Sequence, residues 1–491
     1  MISLDSRQIS PGDLYVALPG TKTHGANYVV QALARGARSV VTDAAGAAII
    51  AELAGTAAEP LQALCAAHGV HVSPLPTLTV VADPRAEMAK LAADFYGHPA
   101  DSLRVIGVTG TTGKTSTVAL LAAGLEAAGV RAATIGTLGM SIDGRNAPLA
   151  STTVTTPESP DVQRTLAELV ADGVDTVAME VSSHALALHR VDAISFAAAA
   201  FTNLGSDHLD FHATQEDYYQ AKTLLFTGGR ARKAVIAVDD AAGQRLAAEL
   251  RGEVDLVTVG AGGDYQVLAG ESVAGKTQVR ALTPSGELNF ELGLPGDFSV
   301  NNALVALALL DVADVDIYQA ATGFAALSVP GRMQRVELGP DAPQVVVDFA
   351  HTPEAIGNAL ASLPGRKIAV LGAGGDRDHG KRPAMGAAAA ALADVVIVTD
   401  DNPRSEDPPE IRAQVLAGAR PAATASGATV LEAIDRRQAI ATALSLATPE
   451  DWVVILGKGH ETTQQFADRQ IAFNDVEVAQ AEYRRLGGAE C

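Results

Sequence analysis

The sequence predicts an α/β protein of three domains, from its length, a strand–loop–helix segment near residue 110 and a repeated alternation of strands and helices. The chain has 491 residues, and domains usually contain about 100–200 residues. Short β-branched runs alternate with Ala- and Leu-rich helical runs, a pattern typical of mostly parallel, doubly wound sheets. We therefore expect domains at residues 1–100, 101–329 and 330–491.

The first domain has the pattern of a small α/β unit. Strands are expected at 39–42 and 79–82, and helices at 29–34 and 84–95. Gly97-His98-Pro99 then interrupts the helical pattern, which indicates the first boundary.

The two later domains each show several strands separated by helices. In the central domain we expect a helix at 300–310, a polar β stretch at 254–292, and strands at 105–109, 130–135, 176–181, 195–201 and 234–238. The last domain begins at Pro330-Gly331 and has expected strands at 345–349, 367–371, 395–399 and 452–456. Its strand–helix alternation predicts a Rossmann-like unit.

Composition restricts the classes of partner. The net charge of −21 argues against nucleic acids and anionic membranes as partners. The two cysteines, Cys65 and Cys491, form neither a metal-binding spacing nor a disulfide framework, and Cys65 is expected in the core. The sequence has no leader peptide pattern and no apolar run long enough to span a membrane, so we expect a cytoplasmic protein.

A phosphate-binding loop is predicted where the strand at 105–109 meets the next helix. Glycines let backbone N–H groups approach an anion, and the helix N-terminus favours negative charge. Lys114 is expected beside the β- and γ-phosphates, with the Thr115 hydroxyl on Mg²⁺. Val108 occupies the position of the usual first glycine, and an ordinary glycine-capped turn is the alternative. The loop residues expected to bind nucleotide are Gly110, Thr111, Thr112, Gly113, Lys114, Thr115 and Ser116.

Two further polar segments follow central strands. Glu180 ends the strand at 176–181, where doubly wound sheets bind ligands, so it suits a metal ligand or a water-positioning base. The segment Glu180-Val-Ser-Ser-His could equally be a helix-capping cluster. His208 and His212 would share one face if they lay on a helix; Mg²⁺ is favoured there over Zn²⁺, and a structural role is favoured for His212.

Lys222 lies in a predicted helix and from its residue type alone would be a surface lysine. The run Leu371-Gly-Ala-Gly-Gly-Asp-Arg377 resembles a dinucleotide loop, but Arg377 stands where its third glycine belongs. A nicotinamide-dependent oxidoreductase is therefore disfavoured.

The motifs together resemble the Mur ligases over essentially the whole chain. The resemblance rests on Leu4-Asp-Ser-Arg7, the phosphate loop, Glu180-Val-Ser-Ser-His, Asn203-Leu-x-x-Asp-His-Leu-Asp, Ala221-Lys, Pro330-Gly-Arg-Met, Asp348-Phe-Ala-His-Thr-Pro, Gly374-Gly-Asp-Arg, Asp401-Asn-Pro-Arg404 and Gly457-Lys-Gly-His-Glu461. It implies a UDP-binding first domain, an ATP-binding central domain and an amino-acid-binding last domain. It further implies a ligase of peptidoglycan synthesis that adds meso-2,6-diaminopimelate to UDP-N-acetylmuramoyl-L-alanyl-D-glutamate through an acyl phosphate.

The resemblance also implies cofactors and site residues. ATP is the expected co-substrate, with two Mg²⁺ ions held by Thr115, Glu180, His208 and a carbamylated Lys222. Lys114, Glu180, His208 and Lys222 are the expected catalytic residues. Further ATP contacts are expected from Asn302, Arg332, Asp348 and His351, which requires the last domain to swing in, so we expect open and closed states.

Substrate contacts follow from the same resemblance. The UDP-muramoyl dipeptide is expected at Leu4, Ser6, Thr21, Lys22, Thr23, Thr155, Thr156, Ser182, Arg190 and Lys222. Diaminopimelate is expected at Arg377, Asp401, Asn402, Pro403, Arg404, Gly457 and Glu461, where an arginine fork suits its second carboxylate. The open alternatives are L-lysine as the amino acid, a folylpolyglutamate synthase-like ligase, and a nucleotide-dependent switch. We expect a monomer.

Overall fold

A computed structural model describes residues 1–20, 22–146, 154–273, 276–339 and 341–487. Its strands form three main sheets, one in each of the expected regions, together with a three-stranded antiparallel sheet and a two-stranded ribbon. Among these described residues no helix is both long and apolar enough to cross a membrane.

The N-terminal sheet is parallel, with four strands in the order β1-β2-β3-β4. Its strands are β1 (Ile2–Ser3), β2 (Leu14–Ala17), β3 (Ser39–Thr42) and β4 (Thr77–Val80). Its helices are α1 (Val29–Ala34), α2 (Ala44–Ala54), α3 (Pro60–Ala67) and α4 (Pro84–Tyr96). The strand expected at 79–82 begins two residues earlier, because β4 pairs with β3 from Thr77 and Ser39 onward. Cys65 is buried in this core, as expected.

The central sheet has eight strands in the order β12-β11-β10-β5-β9-β6-β7-β8, parallel from β12 to β6 and antiparallel beyond. Its strands are β5 (Arg104–Thr109), β6 (Ala132–Gly136), β7 (Gly139–Ile142), β8 (Arg145–Asn146), β9 (Thr176–Glu180), β10 (Ala198–Phe201), β11 (Lys233–Ala237) and β12 (Asp255–Val259). The polar β stretch expected at 254–292 is divided: its first strand is β12 of the central sheet, and the remainder forms the separate antiparallel sheet of β13 (Gln266–Val273), β14 (Lys276–Thr283) and β15 (Gly286–Leu292).

Helices cover both faces of the central sheet, which confirms the doubly wound arrangement. These helices are α5 (Lys114–Ala127), α6 (Ser159–Ala171), α7 (Ser183–Ala187), α8 (Gln215–Thr223), α9 (Ala241–Leu250), α10 (Asp297–Val312) and α11 (Ile317–Ala321). One apolar core joins α5, α10 and α11 to the sheet, and a second joins α6, α8 and α9 to its other face. Helix α10 carries a continuous buried run from Ala303 to Leu310, so it is enclosed on all sides.

The C-terminal sheet has six strands in the order β16-β17-β21-β18-β19-β20, with only β16 antiparallel. These strands are β16 (Gln334–Val336), β17 (Gln344–Asp348), β18 (Lys367–Leu371), β19 (Val395–Val398), β20 (Thr429–Glu432) and β21 (Trp452–Leu456), and a ribbon of β22 (Thr463–Gln465) and β23 (Gln470–Ala472) follows. Its helices are α12 (Pro353–Ala361), α13 (Lys381–Leu392), α14 (Pro408–Ser426), α15 (Arg436–Leu446) and α16 (Asp475–Arg485).

The bounds of two expected strands are wrong. The strand expected at 195–201 begins only at Ala198, and the one expected at 130–135 is β6, which begins and ends later. His208 and His212 lie between β10 and α8, outside any helix, with the His212 N–H donating to the His208 carbonyl at 2.9 Å, so the condition for a shared helical face is not met. The sequence did not predict β1, β7, β8, β16, β20 or the β22–β23 ribbon, whose strands are each two to four residues long.

Candidate active site

The site lies where three neighbouring parallel strands end. In the central sheet β10, β5 and β9 are adjacent, with Phe201 opposite Thr109 and Val108 opposite Glu180. The segments that leave these strands therefore meet at one edge, which is where doubly wound sheets bind ligands. The phosphate loop, the carboxylate of Glu180 and the polar segment after β10 come together here.

The glycines of the phosphate loop are required by close packing. Gly110 and Gly113 have φ values of 150° and 87°, which disfavour side chains. A Cβ atom at Gly110 would lie 1.9 Å from Thr202 Oγ1, and one at Gly113 would lie 2.5 Å from Asn302 Oδ1. The loop therefore rests directly on the segment after β10 and on the first turns of α10.

Hydrogen bonds from the segment after β10 fix the conformation of the loop. Asn203 accepts from the Thr111 N–H through its carbonyl and from the Thr112 N–H through its side chain, both at 3.0 Å. Its side-chain amide donates to the Thr112 carbonyl at 3.2 Å, and the Thr202 hydroxyl donates to the same carbonyl at 2.6 Å. The sequence alone assigned no role to Asn203 or Thr202, because their contacts are with a loop distant in the chain.

Lys114 begins α5 and folds back over the loop. Its ammonium donates to the Gly110 carbonyl at 2.7 Å and to the Thr111 carbonyl at 3.0 Å. Burial lowers the pKa of Lys114, while the nearby carboxylates of Glu180 and Asp207 oppose that change. The lysine is thus held at the loop, where a phosphate would be an additional partner.

Glu180 is held rigidly at the end of β9. Its side chain is buried and accepts from the Thr137 N–H at 2.8 Å and from the Thr137 hydroxyl at 3.1 Å. A Cβ at Gly136 would lie 2.3 Å from Glu180 Oε1, so a glycine leaves the room that the carboxylate occupies. The helix-capping alternative applies to Ser182, whose hydroxyl accepts from the Ala185 N–H at 3.1 Å, and not to Glu180.

Three imidazole rings and one tyrosine ring lie close together beside this edge of the sheet. The ring centroids of His184 and His208 lie 4.8 Å apart, and His212 lies 5.2 Å from the ring of Tyr218. Burial lowers the pKa of both His184 and His208 to about 4, so both are neutral at pH 7. A ring nitrogen of His212 lies 3.0 Å from the Ser183 hydroxyl, which agrees with a structural role for this histidine.

Lys222 is not a surface lysine. It is 1% exposed, and its ammonium lies 4.2 Å from the centroid of the Tyr218 ring. Burial and the neighbouring positive charge of Lys114 lower its pKa well below the ordinary value, while Asp207 opposes this. The surface prediction from residue type is therefore wrong, because the side chain is buried against the Tyr218 ring.

The donor groups at the site suit a hard cation with few protein ligands. Within the described ranges no group of three or more His, Cys, Asp and Glu side chains is arranged to hold a metal ion. Glu180 and the buried Thr115 supply oxygen atoms, and the neutral ring of His208 supplies a nitrogen. Mg²⁺ usually keeps several waters and binds one or two carboxylates beside phosphates, so these residues fit it better than Zn²⁺.

The C-terminal domain closes over the phosphate loop. Arg332 Nη2 lies 3.3 Å from the Thr115 hydroxyl, and Asp207 Oδ2 lies 3.7 Å from a ring nitrogen of His351. Asp207 also lies 3.6 Å from the ammonium of Lys381. Sequence reasoning assigned no role to Asp207 or Lys381, whose pairing connects segments about 170 residues apart.

Asp348 lies at the end of β17, close to Arg332, which contacts the phosphate loop. Its carboxylate accepts from the N–H groups of Met333 and Ala350 at 2.7 and 2.8 Å. Burial raises its pKa, while the positive charge of Arg332 opposes the rise. The C-terminal domain is thus in contact with the phosphate loop in this structure, and the expected second, open state stays a prediction.

The residues expected to bind the amino acid form one wall of the C-terminal domain. Arg404 has a φ of 53°, and its guanidinium donates to the Gly375 carbonyl at 2.6 Å. The Asn402 amide donates to Glu461 Oε2 at 2.7 Å. A Cβ at Gly457 would lie 2.4 Å from Asp401 Oδ2, so glycine is needed beside this carboxylate. Pro403 packs behind the wall, with its carbonyl against Gly375.

The residues expected to bind the dipeptide are also connected to one another. The Thr156 hydroxyl donates to the Glu180 carbonyl at 2.9 Å, and Arg190 donates to the Thr156 carbonyl at 2.9 Å. Arg190 also pairs with Glu158 at 2.7 Å. In the first domain Ser6 donates to Gln31 at 2.7 Å.

One cavity of about 1140 Å³ brings most of the predicted residues together. Its lining includes Thr111, Thr112, Gly113, Lys114, Thr115, Ser116, Thr155, Glu180, Ser182, Arg190, His208, Asn302, Arg332, Asp348, His351, Arg377, Asp401, Asn402, Arg404, Gly457 and Glu461. Gly110, Thr156, Lys222 and Pro403 lie behind these residues. The predicted first-domain residues Leu4, Ser6, Lys22 and Thr23 do not line it, and Thr21 lies outside the described residues.

Comparison with known proteins finds a family match in each of the three regions of the chain that carry a main sheet. The chain matches the Mur ligase family, catalytic domain, over residues 1–96, the Mur ligase middle domain over 108–310, and the Mur ligase, glutamate ligase domain, over 331–459. A protein of Streptomyces coelicolor named UDP-N-acetylmuramoyl-L-alanyl-D-glutamate--2,6-diaminopimelate ligase is 44% identical, with 99% of this chain and 93% of the relative covered.

Two further proteins of the same name are similar. A Corynebacterium glutamicum protein is 42% identical, with 98% of this chain and 91% of the relative covered. A solved structure of that name is 30% identical with a TM-score of 0.65, and the match covers 99% of this chain and 95% of that one. The chain belongs to the Mur ligase family, and it is an ATP-dependent ligase that forms amide bonds.

Proposed function

We propose that this ligase joins meso-2,6-diaminopimelate to the D-glutamate of UDP-N-acetylmuramoyl-L-alanyl-D-glutamate in peptidoglycan synthesis. The observation that carries the proposal is the cavity in which the phosphate loop faces the Asp401–Arg404 segment across closed domains. The curated relatives with 38–44% identity carry this activity in their names.

The proposed reaction has two steps. A carboxylate oxygen of the D-glutamate attacks the γ-phosphorus of ATP, so that an acyl phosphate forms and ADP leaves. The diaminopimelate amine then attacks the acyl carbon, phosphate leaves, and the amine loses a proton. Both steps bring anions together, and two unit charges about 4 Å apart repel by roughly 4 kcal/mol at an effective dielectric near 20. Alignment and charge neutralisation are therefore the main requirements.

The residues around the phosphate loop suit that requirement. Lys114 is positioned to bind the transferred phosphate from the loop, and Arg332 is positioned to bind it from the closing domain. Thr115, Glu180 and His208 are proposed to hold two Mg²⁺ ions, which neutralise phosphate charge when bound. Asn302 packs against Gly113, where we propose that it contacts ATP together with Asp348 and His351.

Lys222 is proposed to be carbamylated. Carbamylation needs an unprotonated amine, whose nitrogen attacks carbon dioxide and then loses one proton to give an anionic carbamate. The lowered pKa of Lys222 favours the unprotonated form. The product would convert a second buried cation beside Lys114 into a carboxylate-like ligand.

The second carboxylate of diaminopimelate distinguishes it from L-lysine. Arg404 and Arg377 line the wall opposite the phosphate loop, and an arginine can bind a carboxylate with two parallel hydrogen bonds. Glu461 and Gly457 are proposed to receive the distal ammonium. L-Lysine stays the alternative substrate. A folylpolyglutamate synthase-like role is disfavoured because the match to a Mur ligase first domain spans residues 1–96.

Phosphate release from ATP tests the proposal. Release should require both the UDP-muramoyl dipeptide and diaminopimelate, with L-lysine at equal concentration giving much less. Arg404→Lys should remove most of this preference, since an ammonium cannot make the two parallel bonds. Arg420→Lys, on the exposed side of α14, is the matched control and should keep it. Equal turnover with lysine would refute the amino-acid assignment, and release without the dipeptide would favour a nucleotide switch.

A further inference from the structure

Lys458 lies directly behind the wall that is proposed to bind the amino acid, yet it does not line the cavity. It follows Gly457 at the end of β21, and it is 0% exposed. A buried ammonium is costly unless hydrogen bonds and opposite charge compensate it. The groups that surround the ammonium of Lys458 therefore indicate the role of this buried charge.

All three ammonium hydrogens of Lys458 have acceptors. The ammonium donates to the Thr463 carbonyl at 2.6 Å, to Glu461 Oε2 at 2.9 Å and to Asn402 Oδ1 at 3.2 Å. These acceptors belong to three segments that surround the proposed amino-acid site. Lys458 thus connects the segment 401–404, the segment 457–461 and β22 through hydrogen bonds.

The contacts also determine how Asn402 is oriented. Its side-chain oxygen accepts from Lys458 and from the Gln465 N–H at 3.0 Å, and both of these groups are donors only. The amide nitrogen must therefore face Glu461, to which it donates at 2.7 Å. Without the lysine, one of the two interactions that prevent the amide from rotating would be lost.

The same arrangement selects which oxygen of Glu461 faces the cavity. Oε2 already accepts from Asn402 and from Lys458. Oε1 is the oxygen left for a cation in the cavity that Glu461 lines. A charge-assisted pair on one oxygen and a ligand on the other is an efficient way to hold a carboxylate in a single rotamer.

We propose that Lys458 is a positioning residue for the amino-acid substrate, because it orients Asn402 and Glu461 toward the substrate's distal ammonium. This inference rests on the proposed function of the site. Lys458 itself touches no substrate, so its removal should affect the amino acid far more than ATP or the UDP-muramoyl dipeptide.

Steady-state kinetics of the full-length enzyme test this role. Lys458→Met should raise the KM for diaminopimelate at least tenfold, lower kcat less than threefold, and leave both other KM values within twofold. Lys458→Gln, which can still donate to Glu461, should have a KM for diaminopimelate at least threefold lower than that of Lys458→Met. The matched control is Lys367→Met, since Lys367 caps the Gly365 carbonyl at 2.9 Å at the start of β18, away from the wall.

A double-mutant cycle separates positioning from general packing. In a Glu461→Gln background, Lys458→Met should change the amino-acid KM less than threefold, because the group it positions is already altered. The same tenfold effect in both backgrounds would overturn the proposal, as would a parallel rise of all three KM values. If neither Lys458 variant retains cooperative unfolding and ATP binding, the lysine serves folding and the positioning role is refuted.

The wild-type enzyme is assayed first, so the two proposals can fail separately. No diaminopimelate-dependent phosphate release by the wild type would refute the proposed function. An active wild type with an unaltered amino-acid KM in Lys458→Met would refute only the role of the lysine.

Discussion

Gly136→Ala should disable the ligase through a single added methyl group. Gly136 ends β6 with a φ outside the left-handed region, so its backbone accepts alanine. The three atoms nearest to the new Cβ all belong to Glu180, at 2.3, 2.8 and 2.8 Å. These distances are too short, so the carboxylate must move away from Thr137.

The size of the effect follows from these contacts. Inserting a methyl group into a well-packed site usually costs about 1–3 kcal/mol, a range that already includes the rearrangement of neighbouring side chains such as Glu180. We expect Gly136→Ala to lower the free energy of unfolding by about 1–3 kcal/mol. Displacement of a proposed metal ligand should lower kcat at least tenfold.

Removing the Glu180 side chain should abolish the loss of stability that Gly136→Ala causes. In a Glu180→Ala background, Gly136→Ala should change stability by less than about 0.5 kcal/mol, because the new methyl then fills vacated space. Urea unfolding of the four proteins measures the coupling. Gly270→Ala is the control, since its Cβ would have one neighbour, 3.9 Å away. Equal destabilisation in both backgrounds would show that Gly136 is constrained by something other than Glu180.

Three further predictions follow from charges at and behind the site. The pKa of His208 is lowered to about 4 in the folded protein, below the ordinary value near 6.5 that the unfolded chain has. Between about pH 6.5 and pH 4 only the unfolded chain takes up this proton, so the free energy of unfolding should fall as the pH decreases through that range. NMR titration of the ring should show no protonation near pH 6.5. Arg436→Met should lower the free energy of unfolding in urea by about 3–5 kcal/mol, since it leaves the fully buried Asp475 without its partner. Adding Asp475→Leu to this variant should restore most of the lost stability. Arg332→Lys should raise the KM for ATP several-fold, because it loses the contact with Thr115; an unchanged KM would show that the contact is not used.

The fold and the phosphate loop could be predicted because their signals are local in sequence, whereas most of the other expected site residues rested on the resemblance to the Mur ligases. The alternation of strands and helices required only periodicity and turn residues. The phosphate loop combines glycines, Lys114 and a helix start within eight positions, and Glu180 marks a strand end. Adjacent parallel strands then bring such ends together at one edge of the sheet.

The supporting residues could not be predicted, because their roles depend on contacts between distant segments. Thr137 follows a strand like many other threonines, and only the structure shows that it holds Glu180. Asn203 fixes a loop about 90 residues away. The residue type of Lys222 alone favoured a surface lysine, and only the family resemblance assigned it to the site; its side chain is buried against the Tyr218 ring, a contact that the local sequence does not reveal.

The site resolves an apparent conflict between the protein's charge and its proposed substrates. A chain of net charge −21 is proposed to bind a nucleoside triphosphate, a UDP-linked dipeptide and a dicarboxylic amino acid, which are all anions. Seven Lys and Arg side chains line the cavity together with ten Asp and Glu side chains, so its lining as a whole is not positive. Anion binding must therefore depend on where individual cations lie: Lys114 and Arg332 at the phosphate loop, and Arg377 and Arg404 at the opposite wall. Several of these cations meet across domains that are brought together by the contacts of Asp207 and Arg332. The proposed contribution of Arg332 to phosphate binding requires the two domains to be in contact, so a bound phosphate favours the closed arrangement by as much as it binds that arrangement more tightly.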